Sequence, residues 1–125
     1  VRVYHYSDYE TVHLRRLAER SGDPVLAAAC ELIRDHFVDL FGFLRDNFVG
    51  VDGLGLKVVA TKGAGFQWRD EEPGGLASQT WFSEAVNGGT DAVRASAKQR
   101  VLDYNEDDVR ATLAVRNWLT AHDAP

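Results

Sequence analysis

The first six residues, VRVYHY, are the only part of this chain that reads as a β-strand, and that lone strand limits what the rest can build. They are β-branched and aromatic, with no turn signal before them. A single strand leaves unpaired backbone groups on both edges, so it needs a partner. Everything after Tyr6 carries helical periodicity. The sequence therefore predicts a mostly helical chain with an unpartnered strand, for which pairing with a second copy, a homodimer, is one remedy.

Along the chain, Ser7 and Glu10 have capping-box spacing and open a helix through Leu14, Leu17 and Ala18. Ser21-Gly22 stops it. Asp23 and Pro24 start the next helix as N-cap and first turn, with Val25, Ala29, Leu32 and Ile33 as its apolar face. Phe37, Leu40, Phe41, Leu44 and Phe48 continue with helical spacing up to Gly50. Asp39, among these apolar residues, reads as a buried capping acid. A short helix around Leu56, Val59 and Ala60 lies between glycines. Phe66–Gly75 is a loop anchored by Phe66 and Trp68. Ser78–Val86 is a helix with Trp81, Phe82 and Ala85 inward, ended by Gly88-Gly89. Two further helices are predicted, Thr90–Leu102 and Asn105–Ala121.

Composition narrows the class. The 125 residues suffice for one domain with a modest core. A lone cysteine, Cys30, excludes an internal disulfide and fits a reducing cytoplasm, and the four scattered histidines lack zinc-ligand spacing. No apolar run reaches membrane-spanning length and no signal segment is visible, so no membrane partner is expected. A net charge of −5 argues against a simple nucleic-acid coating protein, but not against an enzyme that meets nucleic acid through metal ions. The chain has no methionine and opens within a strand, which reads as a piece of a longer protein.

The segment YNEDDVRAT, Tyr104–Thr112, concentrates the chemistry. At about 100° per residue, Asp108 shares a helix face with Ala111, Thr112, Val115 and Leu119, an apolar face on which a carboxylate is costly unless paired. Tyr104 lies one turn earlier. Glu106 and Asp107 point elsewhere, as solvated first-turn acids. Glu10 sits on the side of Leu14 and Leu17 in the first helix. Two acids distant in sequence thus extend apolar stripes at helix N-termini. If those ends meet, their oxygens suit a hard divalent cation, magnesium or manganese. Each has a structural alternative: Glu10 as a capping-box acid, Asp108 as a helix-start acid, Tyr104 as core with a tethered hydroxyl. His5 reads as a hydrogen-bonded strand histidine. Trp68, Trp81 and Trp118 read as core anchors. Arg69, Lys57, Lys62, Arg94, Lys98 and Arg100 read as solvated positions, although Arg69 beside Trp68 has the reach to grip a phosphate.

The stretches YHYSDYE, VDLF, GLGLKVVA, GFQWRDEEPGG and YNEDDVRATLAVRNWL resemble the RNase H-like domain of RecB-family nucleases, over nearly the whole chain. The wider class is the 3′–5′ exonuclease-like branch with four metal-binding acids. The resemblance implies an α/β, RNase H-like fold, partial here: the first strands are missing and the rest is mostly helical. Residues 1–125 would be the C-terminal part of one such domain, after a RecB-like nuclease region and often before a helicase region. It implies a DNA or RNA substrate and Mg2+ or Mn2+. Tyr104 and Asp108 match the last exonuclease motif, in which the aspartate binds metal and the tyrosine helps position the attacking water. Glu10 falls at the metal-binding acid of the middle motif, where the class normally has aspartate. Tyr6 stands near where many relatives carry asparagine. Two metals about 4 Å apart serve such hydrolysis and need several converging carboxylates. The first motif, Asp-x-Glu on an opening strand, has no counterpart before Glu10. The one Asp-x-Glu present, Asp70–Glu72, reads as a solvent-facing loop. The expectation is a metal-dependent nuclease domain, inactive as this fragment. The alternatives are a non-catalytic nucleic-acid-binding domain, which requires a basic groove, and a helical interaction module, which requires an exposed apolar patch.

Overall fold

The computed structural model describes residues 1–122. Strand β1 (Val3–His5) leads into α1 (Tyr9–Ser21) and α2 (Pro24–Arg34), then strand β2 (Phe37–Asp39) and α3 (Leu40–Asn47). A short α4 (Leu56–Val58) runs into a π-helical turn, Val59–Gly63. After a loop come α5 (Gly75–Asn87) and a long α6 (Asp91–His122).

The strand has a partner within the chain. β1 pairs in parallel with β2, in the register Val3 with Phe37, Tyr4 with Val38 and His5 with Asp39. Parallel strands need a long crossover, and the α1–α2 hairpin supplies it. β2 escapes a periodicity reading because it is only three residues long and runs directly into α3, whose spacing hides it. Asp39 ends the strand and caps α3: Oδ1 accepts from the N–H of Phe41 at 3.0 Å and from that of Ser7 at 2.8 Å. That second bond fixes the exit from β1, where Ser7 takes a left-handed φ of 69°. The predicted Ser7–Glu10 capping box is therefore absent. Asp8 is the N-cap of α1, and the Ser7 hydroxyl donates to Asp8. Gly22 closes α1 at φ 65°, and Asp23 caps α2 through the N–H of Val25, both as the sequence predicts.

The two helices expected after Gly89 are one unbroken helix of 32 residues, about 48 Å long. Asp103 and Asn105, weak helix formers, sit mid-helix, and Asp103 is tied both from a loop and from its own helix. Arg69 donates to the Asp103 carbonyl at 2.9 Å, and Gln99 to its carboxylate at 2.9 Å. No helix starts at Asn105, so the acids of YNEDD are not first-turn acids.

The core lies between the end of β1, α3, the π-helical turn and α6. Tyr6, Leu44, Val59, Ala60, Ala111 and Val115 are among its buried members. Burial, with the Asp39 charge adding to it, pushes the Tyr6 phenol up to about 12; its hydroxyl donates to the Leu54 carbonyl. Gly63 lies close under Trp118, where a Cβ would sit 3.3 Å from the indole. α5 packs along the first half of α6 through the buried Trp81. Phe82, expected inward, is 62% exposed.

The α1–α2 hairpin is covered far less. Leu17 is 53% and Leu32 76% exposed, and of α1 only Ala18 is buried. The apolar stripes predicted for both helices are real, but apart from Ala18 and Ile33 they face out. A hollow of about 350 Å³ between them is lined by Val12, Cys30, Ile33 and Phe37, among others. A folded monomer of 13.9 kDa typically exposes about 6,700 Å², whereas this chain exposes 8878 Å².

Candidate functional site

An open cleft of about 770 Å³ lies where β1 and the start of α1 face the N-terminal end of α5 and the middle of α6. β1 and its extension contribute Tyr4, His5 and Tyr6, and α1 contributes Tyr9 and Glu10. Residues four apart lie on one helix face, and α6 presents such a stripe: Tyr104, Asp108, Thr112 and Arg116 all line the cleft. Glu10, Tyr104 and Asp108, separated by almost the whole chain, therefore line one cleft.

Tyr104 is buried and held edge-on by Trp81, with ring centroids 5.8 Å apart. Its hydroxyl oxygen accepts from Lys57 Nζ at 2.8 Å. Lysine has no acceptor, so the phenolic hydrogen remains available to the cleft. Lys57 is itself fixed by donating to the Pro73 carbonyl at 2.6 Å. It is half-buried, not the solvated position expected from sequence. The cue is its setting in LKVVA, the one charge in an apolar helical run.

Asp108 is half-buried on α6, and its Oδ1 accepts from Trp68 Nε1 at 2.8 Å. Trp68 stands edge-on to Phe66 at 5.0 Å, so the GFQW stretch orients an indole donor as well as packing the core. The Asp108 backbone carbonyl accepts from the Thr112 hydroxyl at 3.0 Å. Across the cleft, Glu10 is half-exposed, with Oε2 4.0 Å from Nδ1 of the buried His5. The His5 ring nitrogen lies closer to the Ser7 carbonyl and edge-on to Phe37, as a hydrogen-bonded strand histidine should.

Asp107 overturns the sequence expectation. It is 3% exposed and is not a solvated acid. Its Oδ2 accepts from the Arg69 backbone N–H and its Oδ1 from Arg69 Nε, both at 2.8 Å. Glu106 adds a bond to Arg69 at 3.0 Å and is bound in turn by Arg110. Burial pushes the Asp107 carboxyl up, but the bonds from Arg69 outweigh it and hold the carboxyl below its ordinary value. Arg69 is raised in return, by Asp107 first and Glu106 second. This arginine is a clamp between loop and helix, committed to carboxylates and not to phosphate. Asp70 is likewise not solvent-facing. Arg100 binds it at 2.6 and 2.9 Å and holds its carboxyl down, while stacking 3.9 Å over the Trp81 ring. Asp70 is thus structural, whereas Glu72 is exposed, as the sequence reading has it.

The oxygen donors of Glu10 and Asp108 suit a hard divalent cation in type. In number they fall short: among the described residues no three His, Cys, Asp or Glu side chains group to hold a metal ion. Among these residues no helix is long and apolar enough to cross a membrane.

A parallel strand pair bridged by helices, with an acid-bearing cleft on one side, agrees with comparison to known families. The model of the RNase H superfamily matches residues 1–120, and the chain belongs to that superfamily. No curated protein and no solved structure matches it. The domain is RNase H-like, a nuclease-type fold whose chemistry concerns nucleic acid, and its mostly helical body with a small parallel sheet is a partial α/β fold.

Proposed function

We propose that the chain is the C-terminal part of a metal-dependent, 3′–5′ exonuclease-like domain of the RecB family that hydrolyses phosphodiester bonds of DNA or RNA in the cytoplasm. The observation that carries this reading is the shared cleft of Glu10, Tyr104 and Asp108, with Lys57 and Trp68 orienting the last two. Glu10 and Asp108 would hold Mg2+ or Mn2+, which in such sites activates water and offsets charge on the leaving oxygen. Asp108 keeps one carboxylate oxygen on Trp68, which leaves the other for the cation. Tyr104, its oxygen anchored by Lys57, offers its hydrogen to orient a water beside the phosphate. Glu10 faces them from α1, and its extra methylene gives it more reach than aspartate.

The partial character of the domain has its own support. The two-stranded sheet has two open edges, the α1–α2 stripes face out, and the accessible surface exceeds that of a finished monomer by about a third. Further strands of the same domain, bearing the missing acids, would cover the sheet edge, with a RecB-like nuclease region upstream and a helicase region as neighbours in the parent. A homodimer through an open edge is the competing cover.

Cleavage assays test this directly. The purified chain, given Mn2+, is expected to leave single-stranded DNA and RNA uncut, while the complete parent digests one of them. Metal-dependent digestion by the chain alone would overturn the partial-site reading, and an inert parent the nuclease reading. In the parent, Lys57→Met should lower kcat/KM about tenfold or more, the usual cost of removing a group that orients a site residue. Wild-type turnover by that variant would leave Lys57 with a packing role only.

A further inference from the structure

Arg116 closes the far end of the α6 stripe, two turns beyond Asp108, and lines the same cleft. It is half-buried. Most arginines of the second half of the chain are spoken for: Arg69 by Asp107, Arg94 by Asp91, Arg100 by Asp70 and Arg110 by Glu106. Arg116 has no carboxylate partner among the described residues. Its NH1 donates to the neutral Asn117 side chain at 2.9 Å. Its guanidinium lies 5.2 Å from the Tyr4 ring centroid, a stacked arrangement that restrains the planar group without neutralising it. Hydrogen bonds from Arg116 first, and from Arg2 second, hold the Tyr4 phenol below its ordinary pKa. The opposite end carries Glu10 and Asp108. The cleft therefore carries acids, Glu10 and Asp108, toward one end and a cation, Arg116, at the other.

We propose that Arg116, positioned on Tyr4, binds a backbone phosphate of the nucleic-acid strand and so sets where the strand lies relative to Asp108. This rests on the nuclease reading above. Eight residues of helix separate Asp108 from Arg116, about 12 Å along the axis. That places the held phosphate beyond the one being cut, on the same strand. A planar guanidinium gives two parallel bonds to phosphate oxygens, and a backbone contact serves any base sequence. Arg116 is a positioning residue and takes no part in bond breaking.

The test uses fluorescein-labelled oligo(dT) and the full chain, with binding followed by anisotropy from 20 to 200 mM salt. Arg116→Gln should weaken binding about fivefold at low salt and reduce the slope of log K against log salt by about 0.7, one phosphate contact on a single strand. Arg116→Lys should restore most of the slope, because charge and not shape dominates that term. Arg110→Gln, which removes an arginine already paired with Glu106, should leave the slope unchanged. Thermal melting of each variant identifies any that fail to fold; for such a variant Tyr4→Leu, which removes the stacking platform, replaces it and should also weaken binding. If oligo(dT) binds and the Arg116→Gln slope equals wild type, the phosphate role is overturned and the nuclease reading stands. If neither oligo(dT) nor oligo(rU) binds the wild-type chain, the phosphate role is overturned, while cleavage by the parent still decides the nuclease reading.

Discussion

Asp108→Asn in the complete parent is expected to lower metal-dependent cleavage about a thousandfold while leaving the melting temperature nearly unchanged. The two halves of this expectation come from different atoms of one side chain. Oδ1 accepts from Trp68, and an asparagine oxygen in that place can accept the same bond. The other oxygen is the one left for the cation, and the amide nitrogen that replaces it, on a side chain now without charge, cannot bind one. A positioned cation is worth several kcal/mol to the reacting phosphate, which is about a thousandfold in rate. Asp108→Ala is the poorer variant, because it also strands the Trp68 indole donor. Steady-state cleavage with Mn2+, alongside calorimetric melting, separates the two effects. Activity within threefold of wild type would remove Asp108 from the chemistry. Asp70→Asn, outside the cleft, serves as the comparison and should keep its rate.

One residue earlier, the balance reverses. Asp107→Ala should destabilise the fold by about 2 kcal/mol, the worth of charge-assisted hydrogen bonds whose acceptor is deleted. The loss includes the acceptor of the Arg69 backbone N–H, for which Glu106 is no substitute. Melting should fall by several degrees. The same clamp gives a pH signature. The folded-state pKa of Asp107 is depressed, so its contribution is present above the unfolded value near 3.9 and is lost as pH falls through the folded value. Asp70 and Glu106 shift in the same direction, through Arg100 and through Arg110 and Arg69 respectively. Urea denaturation from pH 7 to 3 should show stability declining below about pH 4, and Asp107→Asn should flatten that decline. A variant that melts with wild type, or an unchanged acid limb, would show the clamp to be idle.

What the sequence reveals here is what local chemistry decides. Asp23 with Pro24, Gly22, the Gly88-Gly89 break and the capping role of Asp39 follow from residues within a few positions of one another, and the structure agrees. The family likeness rests on motifs spread along the chain, and the superfamily match covers the same residues. The misreadings share another cause, a partner distant in sequence. β2 is strand only because β1 lies beside it. Where α6 passes Asp103, Arg69 reaches it from a loop more than thirty residues earlier. Asp107 faces inward to the same arginine. Helical spacing correctly set Tyr104 and Asp108 on one side, but it also ruled out Asp107, since a periodicity argument sees apolar neighbours and not a guanidinium arriving from outside. Lys57 and Trp68 were visible as residues and invisible as donors.

The unbroken α6 also governs how the cleft can adapt. Tyr104, Asp108 and Arg116 ride on a single stiff rod, so their mutual spacing is a fixed ruler that no substrate can stretch. In the nuclease reading proposed above, adjustment to strands of different width falls to the opposite bank, where Glu10 stands on the thinly covered α1–α2 hairpin beyond the turn at Ser7. Whatever settles on the bare flank of that hairpin therefore also sets the gape of the jaw.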